Sequence, residues 1–351
     1  MIPSIMVIFM ASMGLGIVLA FSSSNWFMAW MGLELNAIAI LPRMIMNHHP
    51  RAVESTTKYF IVQAAAAATL LFAATTHIWL EGDFNIETTK NTYAIAIFTI
   101  ALVLKLGLAP CHSWMPEVLQ GQDLLTGLIL STWQKLAPAI LLMNTHTDRP
   151  WVLALVGITS TLVGGLGGLN QTQLRKLLAY SSIAHMGWIA LITPFSYYMA
   201  LIALLVYFAL SFAVFIALYV NRTKNLLSLA TSMTMNPTLM VLTCLVVLSL
   251  GGLPPLTGFL PKWFILTELV KQGLMPVATM AALTSLLSLS FYLRMAYTAT
   301  LTSHPHPRTI LFRWHIFTHR PTAPLAMAFV LALAFLPLTP AMVTFLLFFS
   351  L

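Results

Sequence analysis

The sequence contains very few charged residues. Asp, Glu, Lys and Arg together make up 7% of its 351 residues, against about 25% in an average soluble protein. A soluble fold of this size cannot cover its surface with so few charges, so the composition excludes a water-soluble enzyme, a disordered protein and a nucleic-acid-binding domain. Hydrophobic residues make up 59% of the chain. This composition predicts a polytopic membrane protein.

The sequence also lacks the usual signatures of cofactor and metal sites. Its two cysteines, Cys111 and Cys244, lie far apart and form neither a CxxC pair nor a zinc spacing, which argues against a disulfide framework. There is no P-loop, GxSxG or iron–sulfur cysteine pattern. The glycine run at 164–168 has Asn170 where GxGxxG needs its third glycine, so we predict that it serves close helix packing. We therefore expect no bound nucleotide, redox centre or metal in this chain.

Long apolar segments are abundant. A bilayer core about 30 Å thick requires about 20 apolar residues per helix, and eleven segments meet this requirement. We predict an all-α polytopic membrane protein with about eleven transmembrane helices, in a single membrane domain of residues 1–351. The segments are 3–21, 26–46, 56–80, 92–109, 124–143, 151–169, 174–193, 197–220, 238–253, 276–301 and 324–349.

The basic residues are unevenly divided between the two sides of this predicted domain. If the helices alternate in direction, eleven Lys and Arg residues face one side and three face the other, where Glu81, Asp83 and Glu87 also lie. This asymmetry follows the positive-inside rule and places the N-terminus on the basic side and the C-terminus opposite. The eleven are Arg43, Arg51, Lys58, Arg175, Lys176, Arg222, Lys224, Arg294, Arg308, Arg313 and Arg320, and the three are Lys90, Arg149 and Lys271.

Four charged residues lie in apolar stretches either well away from a segment end or at a break: Glu34, Lys105 and Lys135 in the second, fourth and fifth segments, and Lys262 where the ninth segment resumes after its interruption. A lysine at a helix centre costs about 2.5–3.5 kcal/mol on insertion scales. Because burial favours the neutral form of a lysine and a nearby carboxylate favours the charged form, such groups are suited to binding and releasing protons. Two alternatives are snorkelling of a lysine to the interface, easiest for Lys262, and a purely structural ion pair of Glu34 with one lysine.

Two of the segments are interrupted by glycine and proline close to a lysine. The first interruption reads Leu-Gly-Leu-Ala-Pro at 106–110, and the second reads Gly-Gly-Leu-Pro-Pro at 251–255. Paired broken helices in two halves are typical of inverted-repeat transporters with an ion path at the bilayer midplane. The segments are five apart, and this odd offset reverses their direction, as inverted repeats require. Two unrelated proline kinks are the simpler alternative.

Two histidines are candidates for a proton relay, because a neutral imidazole can both donate and accept a hydrogen bond. His112 directly follows the first interruption, and His185 lies in the seventh apolar segment. A structural hydrogen-bonding role is the alternative for each. The remaining histidines that we considered are interpreted as solvated loop residues, namely His48, His49, His304, His306, His315 and His319.

Several stretches together resemble a known family. They are Trp-Met-Gly-Leu-Glu-Leu-Asn at 30–36, Lys-Leu-Gly-Leu-Ala-Pro-Cys-His at 105–112, Trp-Gln-Lys-Leu-Ala-Pro at 133–138, and the segments 168–188 and 252–263. Over essentially its whole length, the chain resembles the antiporter-like, proton-translocating subunits of mitochondrial NADH:ubiquinone oxidoreductase (respiratory complex I), in particular the subunit 2 family in its animal form.

This resemblance implies a fold and a set of site residues. The fold is an antiporter-like pair of inverted repeats with two discontinuous helices: a first repeat at about 1–145, a second at about 150–302 and a C-terminal helix at about 322–351. Protons would cross the membrane through Glu34, Lys105, Lys135 and Lys262. His112 and His185 would help water carry them. Wider family members have fourteen core helices, and the missing three at the N-terminus would expose the first helices to other subunits.

The resemblance also implies partners and a location. NADH, FMN, iron–sulfur clusters and ubiquinone would be bound in the complex by partner subunits, with no cofactor or metal in this chain. Neighbouring antiporter-like subunits and inner-membrane lipids would contact it, and no nucleic acid would. The chain would cross the mitochondrial inner membrane with its N-terminus in the matrix and its C-terminus in the intermembrane space.

Two other functions are compatible with the same buried charges. One is a stand-alone secondary cation/proton antiporter, whose fold and buried lysines would look the same. The other is a structural spacer in the membrane arm, in which the charges are relics and replacing a lysine affects assembly alone.

Overall fold

The computed structural model describes residues 3–300 apart from 47, 87, 88, 90, 146–149, 234–236 and 255, and beyond them only 326, 327, 329, 330, 332, 333 and 344. Every named element in this part of the chain is an α-helix. Glu87, Lys90, Arg149, the histidines and arginines between 304 and 320, and most of the predicted helix at 322–351 lie outside the described residues.

Fourteen helices follow one another in the described part of the chain. They are α1 (Pro3–Ser22), α2 (Trp26–Ile45), α3 (Pro50–Glu81), α4 (Thr92–Leu106), α5 (Trp114–Gly121), α6 (Leu124–Ser131), α7 (Trp133–Asn144), α8 (Pro150–Leu169), α9 (Leu174–Ile192), α10 (Tyr197–Asn221), α11 (Leu226–Met233), α12 (Pro237–Gly251), α13 (Phe259–Lys271) and α14 (Met275–Thr300).

Several of these helices are long and apolar enough to cross a bilayer on their own. Among the described residues there are six such spans: α2, α3, α6 together with α7, α8, α10 and α14. Shorter apolar helices lie at Met6–Ser22, Thr92–Leu106 and Thr238–Gly251. The chain is therefore an all-helical, multi-pass membrane protein, as its composition predicts.

The helices group into two compact units. Unit 1 consists of Met1–Ser160 and Ala190–Tyr197, and unit 2 consists of Thr161–Ile189 and Tyr198–Leu351. Each unit contains one of the two predicted glycine–proline interruptions and at least one of the predicted lysines.

In unit 1, α4 and α5 both lie along α3 in antiparallel order. The backbone N–H of Asn91, just before α4, donates to the Glu81 carboxylate at the end of α3 (2.5 Å). Further along, Glu117 of α5 pairs with Lys58 in the early turns of α3 (2.8 Å), and Gln122 donates to the hydroxyl of Ser55 (2.6 Å). The two short helices therefore follow α3 from its C-terminal to its N-terminal end.

In unit 2, small residues allow the helices to approach closely, as predicted for the glycine run. A Cβ added at Gly164 would lie 2.8 Å from the backbone nitrogen of Ala184 in α9, and one at Gly165 would lie 2.9 Å from Leu287 in α14. These distances are shorter than van der Waals contact, so only glycine fits at either position. The prediction that this run packs helices is confirmed.

Three details differ from the sequence predictions. The third helix begins at Pro50 rather than at 56, because His49 caps it by accepting a hydrogen bond from the Arg51 backbone N–H (3.2 Å). The fifth segment is not continuous but is interrupted at Thr132. Arg294, which the charge count places on the basic face, lies within α14. Its guanidinium donates to backbone carbonyls at the end of α8 and just after it, those of Gly168, Leu169 and Gln171.

Candidate functional site

The two interruptions end their preceding helices with the same backbone geometry. Gly107 and Gly252 have φ of 71° and 81°, a left-handed conformation that glycine adopts without steric cost. At each interruption the glycine N–H bonds to the carbonyl three residues back and the next N–H bonds to the carbonyl five residues back. This is the Schellman arrangement, and it leaves other carbonyls at the helix end without intrahelical partners.

Lys105 lies at the first of these helix ends. It occupies the last turn of α4 and is 5% exposed. Its backbone carbonyl accepts a hydrogen bond from the Gln63 side chain of α3 (3.5 Å). Gln63 is itself buried, so a neutral amide satisfies a carbonyl that the interruption has freed, as a site at membrane depth requires.

Lys135 lies near the middle of the span formed by α6 and α7, as the sequence suggested, and it also lies at a helix end because that span is interrupted. It is the third residue of α7, directly after the interruption at Thr132, and is 2% exposed. Its backbone N–H bonds to the Thr132 carbonyl (3.1 Å). Both lysines of unit 1 therefore lie beside irregular backbone, and α4 and α7 pack against each other.

Glu34 lies on α2 and approaches the same region. Its carboxylate is within electrostatic range of the Lys105 ammonium and of the Tyr59 hydroxyl. Glu34 and Lys105 do not form an ion pair within 4 Å; the pairs found among the described residues are elsewhere. The Oε2 atom of Glu34 is buried and has no hydrogen-bond partner among the described residues.

A hydrogen-bonded network connects the three helices that surround these groups. The Gln134 side chain on α7 donates to both the backbone carbonyl and the side-chain oxygen of Asn36 on α2, each at 3.1 Å. The Tyr59 hydroxyl on α3 donates to the Gln134 side-chain oxygen (3.3 Å). Gln134 precedes Lys135, and Asn36 lies two residues after Glu34. The network therefore links positions next to two of the predicted site residues.

Lys262 bridges the second interruption. It lies in the first turn of α13, and its ammonium donates to the carbonyl of Gly251, the last residue of α12 (2.8 Å). The Ser249 and Thr257 hydroxyls are hydrogen-bonded across the same gap (3.0 Å), and Thr257 also donates to the Ala332 carbonyl (2.5 Å). A half-buried cation here satisfies a helix-end carbonyl, as the neutral Gln63 does at the first interruption.

His185 lies in the same region as Lys262. The two residues line a cavity of about 20 Å³, together with Tyr207 and Gly258, and a space of this size admits about one water molecule. The His185 imidazole stacks on Tyr207, with the ring centroids 5.3 Å apart, and its Nε2 is 3.4 Å from the Tyr292 hydroxyl. A protonatable ring and a lysine therefore line one small cavity whose other walls are mostly apolar.

His112 lies apart from the buried network. Its Nδ1 is 3.2 Å from the Pro110 carbonyl in the segment between α4 and α5, in an exposed setting. Among the described residues, no group of three or more His, Cys, Asp and Glu side chains is arranged to hold a metal ion.

Sequence reasoning missed the neutral members of this site. Tyr59, Gln63 and Gln134 are common residue types, and nothing in their local sequence marks them. A signal was available on α3, because Tyr59 and Gln63 are polar residues four positions apart, which places them on one face of the helix. Arg294 was counted as a surface charge because it lies near the end of an apolar segment.

Comparison with known proteins agrees with this architecture. Residues 23–288 match the family model of the NADH:quinone oxidoreductase/Mrp antiporter transmembrane region, and residues 289–343 match that of the NADH dehydrogenase subunit 2 C-terminus. The chain is 53% identical to NADH-ubiquinone oxidoreductase chain 2 of Salmo salar, covering 98% of this chain and 99% of the salmon chain. It is also 53% identical to the Oncorhynchus mykiss protein of the same name, covering 97% of each.

A solved structure gives the same result. A chain of respiratory complex I from Thermus thermophilus with bound aureothin superimposes with a TM-score of 0.84 at 27% identity, covering 96% of this chain and 78% of that chain. Sequence and fold similarity thus agree over nearly the full length. The chain belongs to the NADH-ubiquinone oxidoreductase chain 2 family, within the antiporter-like membrane subunits.

Proposed function

We propose that this chain is a core membrane-arm subunit of a proton-pumping NADH:ubiquinone oxidoreductase and conducts protons across the membrane. The observation that carries this proposal is the set of charges beside helix interruptions: the buried Lys105 and Lys135 in unit 1, with Glu34 in electrostatic range of Lys105, and the half-buried Lys262 in unit 2. Buried ionisable residues in membrane helices are typically parts of ion or proton paths. Full-length similarity to subunits of this enzyme supports the assignment.

Each charged residue has a distinct part in this proposal. Glu34 modulates the proton affinity of Lys105 through its nearby charge, and Lys105 passes a proton towards Lys135. Lys262 exchanges protons with the far aqueous side or with a neighbouring subunit. His185 carries protons between water and Lys262 in their shared cavity, and His112 connects the first interruption to water, which fits its exposed position.

Two discontinuous transmembrane helices are part of this proposal. At about 1.5 Å per residue, the 15 residues of α4 and of α12 reach only about 22 Å, less than a bilayer core of about 30 Å. Adding α5 or α13 gives enough length to cross. The antiparallel order of α4 and α5 along α3 supports this for the first pair.

We extend the proposal to the whole chain. It has about eleven spans, with inverted repeats at about 1–145 and 150–302 and a C-terminal helix at about 322–351. NADH, FMN, iron–sulfur clusters and ubiquinone are bound by partner subunits, and neighbouring antiporter-like subunits and lipids cover its membrane faces. The membrane is the mitochondrial inner membrane, with the N-terminus in the matrix and the C-terminus in the intermembrane space.

Replacement of the unit 1 lysines tests the proposal. Lys105→Met and Lys135→Met keep the length of the side chain but remove the protonatable amine. In the assembled complex, reconstituted in liposomes, we expect each to lower the NADH-driven proton-pumping rate at least tenfold, a barrier increase of about 1.4 kcal/mol. Glu54→Gln, an exposed charge on α3, is the control and should pump normally.

Two outcomes would contradict the proposal. Normal pumping in both lysine variants would mean that their charges are relics and that the chain is a spacer. Purification in mild detergent as a free homo-oligomer that exchanges Na⁺ for H⁺, without FMN or NADH dehydrogenase activity, would identify a stand-alone antiporter instead.

A further inference from the structure

The geometry points to Gln134 as a positioning residue for proton transfer in unit 1. We infer that its side-chain amide, held by Asn36 and Tyr59, fixes the start of α7 and thereby the position of Lys135 relative to Glu34. This inference rests on the proposed function, in which Lys135 receives protons. Gln134 itself carries no proton in this scheme and acts through its neighbour.

The first argument is that only an amide satisfies this set of partners. Nε2 of Gln134 donates to two acceptors of Asn36, and Oε1 accepts from the Tyr59 hydroxyl. A neutral side chain that both donates two hydrogen bonds and accepts one from different directions must be an amide. Loss of either the donor or the acceptor atom of Gln134 would leave a buried polar group on α2 or α3 unpaired, which is costly in an apolar surrounding.

The second argument concerns the backbone. The first N–H groups of any helix lack intrahelical partners, and here α7 begins afresh after the interruption at Thr132. The first turn of α7 is therefore held less firmly by its own backbone than a helix interior. Gln134 is in that turn, and its hydrogen bonds with Asn36 and Tyr59 connect the turn to α2 and α3. Lys135 is the next residue, so its position depends on these hydrogen bonds.

The third argument is that the same face of α3 reaches both lysine positions. Tyr59 donates to Gln134 beside Lys135, and Gln63, one turn along, donates to the carbonyl of Lys105. Tyr59 and Gln63 are both buried. α3 thus supports both positions and sets the distance between Lys105, the proton donor, and Lys135, the acceptor. Proton-transfer rates are very sensitive to this distance.

The test uses three variants in the assembled complex reconstituted in liposomes. Gln134→Met keeps the length of the side chain and removes its polar atoms, Tyr59→Phe removes one hydroxyl, and the third variant combines them. Gln122→Met is the matched control, because Gln122 is also an amide hydrogen-bonded to α3, but to Ala52 and Ser55 near its N-terminus; Gln122 is buried and Gln134 is half-buried. NADH-driven proton pumping and NADH:ubiquinone turnover are recorded in the same vesicles.

We expect Gln134→Met and Tyr59→Phe each to lower the pumping rate about two- to tenfold, the effect of losing one or two buried hydrogen bonds from a transfer step. The double variant should pump no more slowly than Gln134→Met alone, because both changes break the same bridge. Gln122→Met should pump at the unmodified rate. If Gln134→Met does not assemble, Tyr59→Phe carries the test by itself.

Several outcomes would overturn the inference. Normal pumping by Tyr59→Phe and Gln134→Met, alongside loss in Lys135→Met, would remove the positioning role and leave the proposed function intact. Equal losses in Gln122→Met would indicate a general packing defect. Losses that multiply in the double variant would show that the two residues act separately. Normal pumping in Lys135→Met as well would instead contradict the proposed function.

Discussion

At the scale of single residues, the position of Lys262 depends on a glycine. Gly252 has φ of 81°, and a Cβ placed there would lie 2.8 Å from the Lys262 ammonium nitrogen and 3.0 Å from its Cδ. Any larger residue at this position would therefore have two effects. It would strain the left-handed backbone by about 1–2 kcal/mol, and it would displace the lysine from the Gly251 carbonyl.

A Gly252→Ala variant should lose the Lys262–Gly251 hydrogen bond and pump protons several-fold more slowly. Gly273→Ala is the matched control, because Gly273 also has a positive φ (75°) but has no atom within 4 Å of the Cβ position. Gly273→Ala therefore introduces the backbone strain alone, without a new steric contact. The comparison is made by pumping rate and by hydrogen exchange of the amides at 252–258. Equal effects in the two variants would mean that the contact with Lys262 is unimportant.

The sequence identified the charged members of the site but not their settings. A lysine in an apolar segment is visible in the sequence because its desolvation cost is a property of the residue itself. Lys135 lies in mid-span as expected, but in the first turn of α7 rather than inside a continuous helix. The Tyr59–Gln134 hydrogen bond joins residues 75 positions apart. Such a bond is a property of tertiary packing, and no local pattern predicts it.

At the scale of helices, unit 1 shows how tightly two elements can pack. A Cβ on Gly16 of α1 would lie 2.8 Å from the Gly32 carbonyl oxygen of α2 and 2.9 Å from the Asn36 backbone nitrogen. Small residues that permit such backbone contact are the usual basis of helix association in membranes, where burial from water gives little driving force between helices.

A Gly16→Ala variant should separate α1 from α2 and destabilise their packing by about 1–3 kcal/mol, the usual cost of overfilling a packed site. Gly14→Ala is the control on the same helix, because its added Cβ would meet no atom within 4 Å; it should be neutral or slightly stabilising, since alanine is the better helix former. Hydrogen-exchange protection of α1 and α2 amides in the purified complex measures the difference. Equal protection in both variants would contradict the close approach.

Many helix ends agree with the predicted segments to within one residue, as at the ends of α2, α9 and α10, but the end of α6 was not predicted. The ends of α4 and α12 coincide with Gly107 and Gly252, which the backbone requires there. Thr132 ends α6 without such a residue. Its hydroxyl donates to the Leu128 carbonyl four residues back (2.7 Å), a bond that also occurs inside regular helices. The interruption is therefore set by packing around it, and hydropathy along 124–143 remains continuous.

At the scale of the whole molecule, some basic residues of the predicted asymmetry lie in helix ends rather than in connecting loops. Arg51 and Lys58 lie in the early turns of α3, which at 32 residues and about 48 Å is longer than a bilayer core is thick. Its N-terminal turns can therefore extend beyond the hydrocarbon region and carry charge. The positive-inside rule applies to residues near the ends of membrane helices as well as to loops, so Arg51 and Lys58 keep their place in the predicted charge asymmetry although the bounds of α3 differ.

That asymmetry makes a prediction about α12 and α13. If the two helices form one broken span, Lys224 before α12 and Lys271 at the end of α13 lie on opposite sides of the membrane; if the chain turns back at the interruption, they lie on the same side. Both residues are exposed. We expect Lys224→Cys and Lys271→Cys, each in a Cys111→Ser, Cys244→Ser background, to react with an impermeant maleimide from opposite sides of sealed vesicles.

Lys58→Cys provides the reference side, because the charge asymmetry assigns Lys58 and Lys224 to the same face of the membrane. Labelling of all three from one side would contradict the broken span, and with it the placement of Lys262 at membrane depth. Labelling of Lys271→Cys alone from the far side would place the Gly252–Gly258 segment between the two faces. The Lys262–Gly251 hydrogen bond would then lie inside the bilayer, where a buried cation and a freed helix carbonyl each need the other because neither has bulk water as an alternative partner.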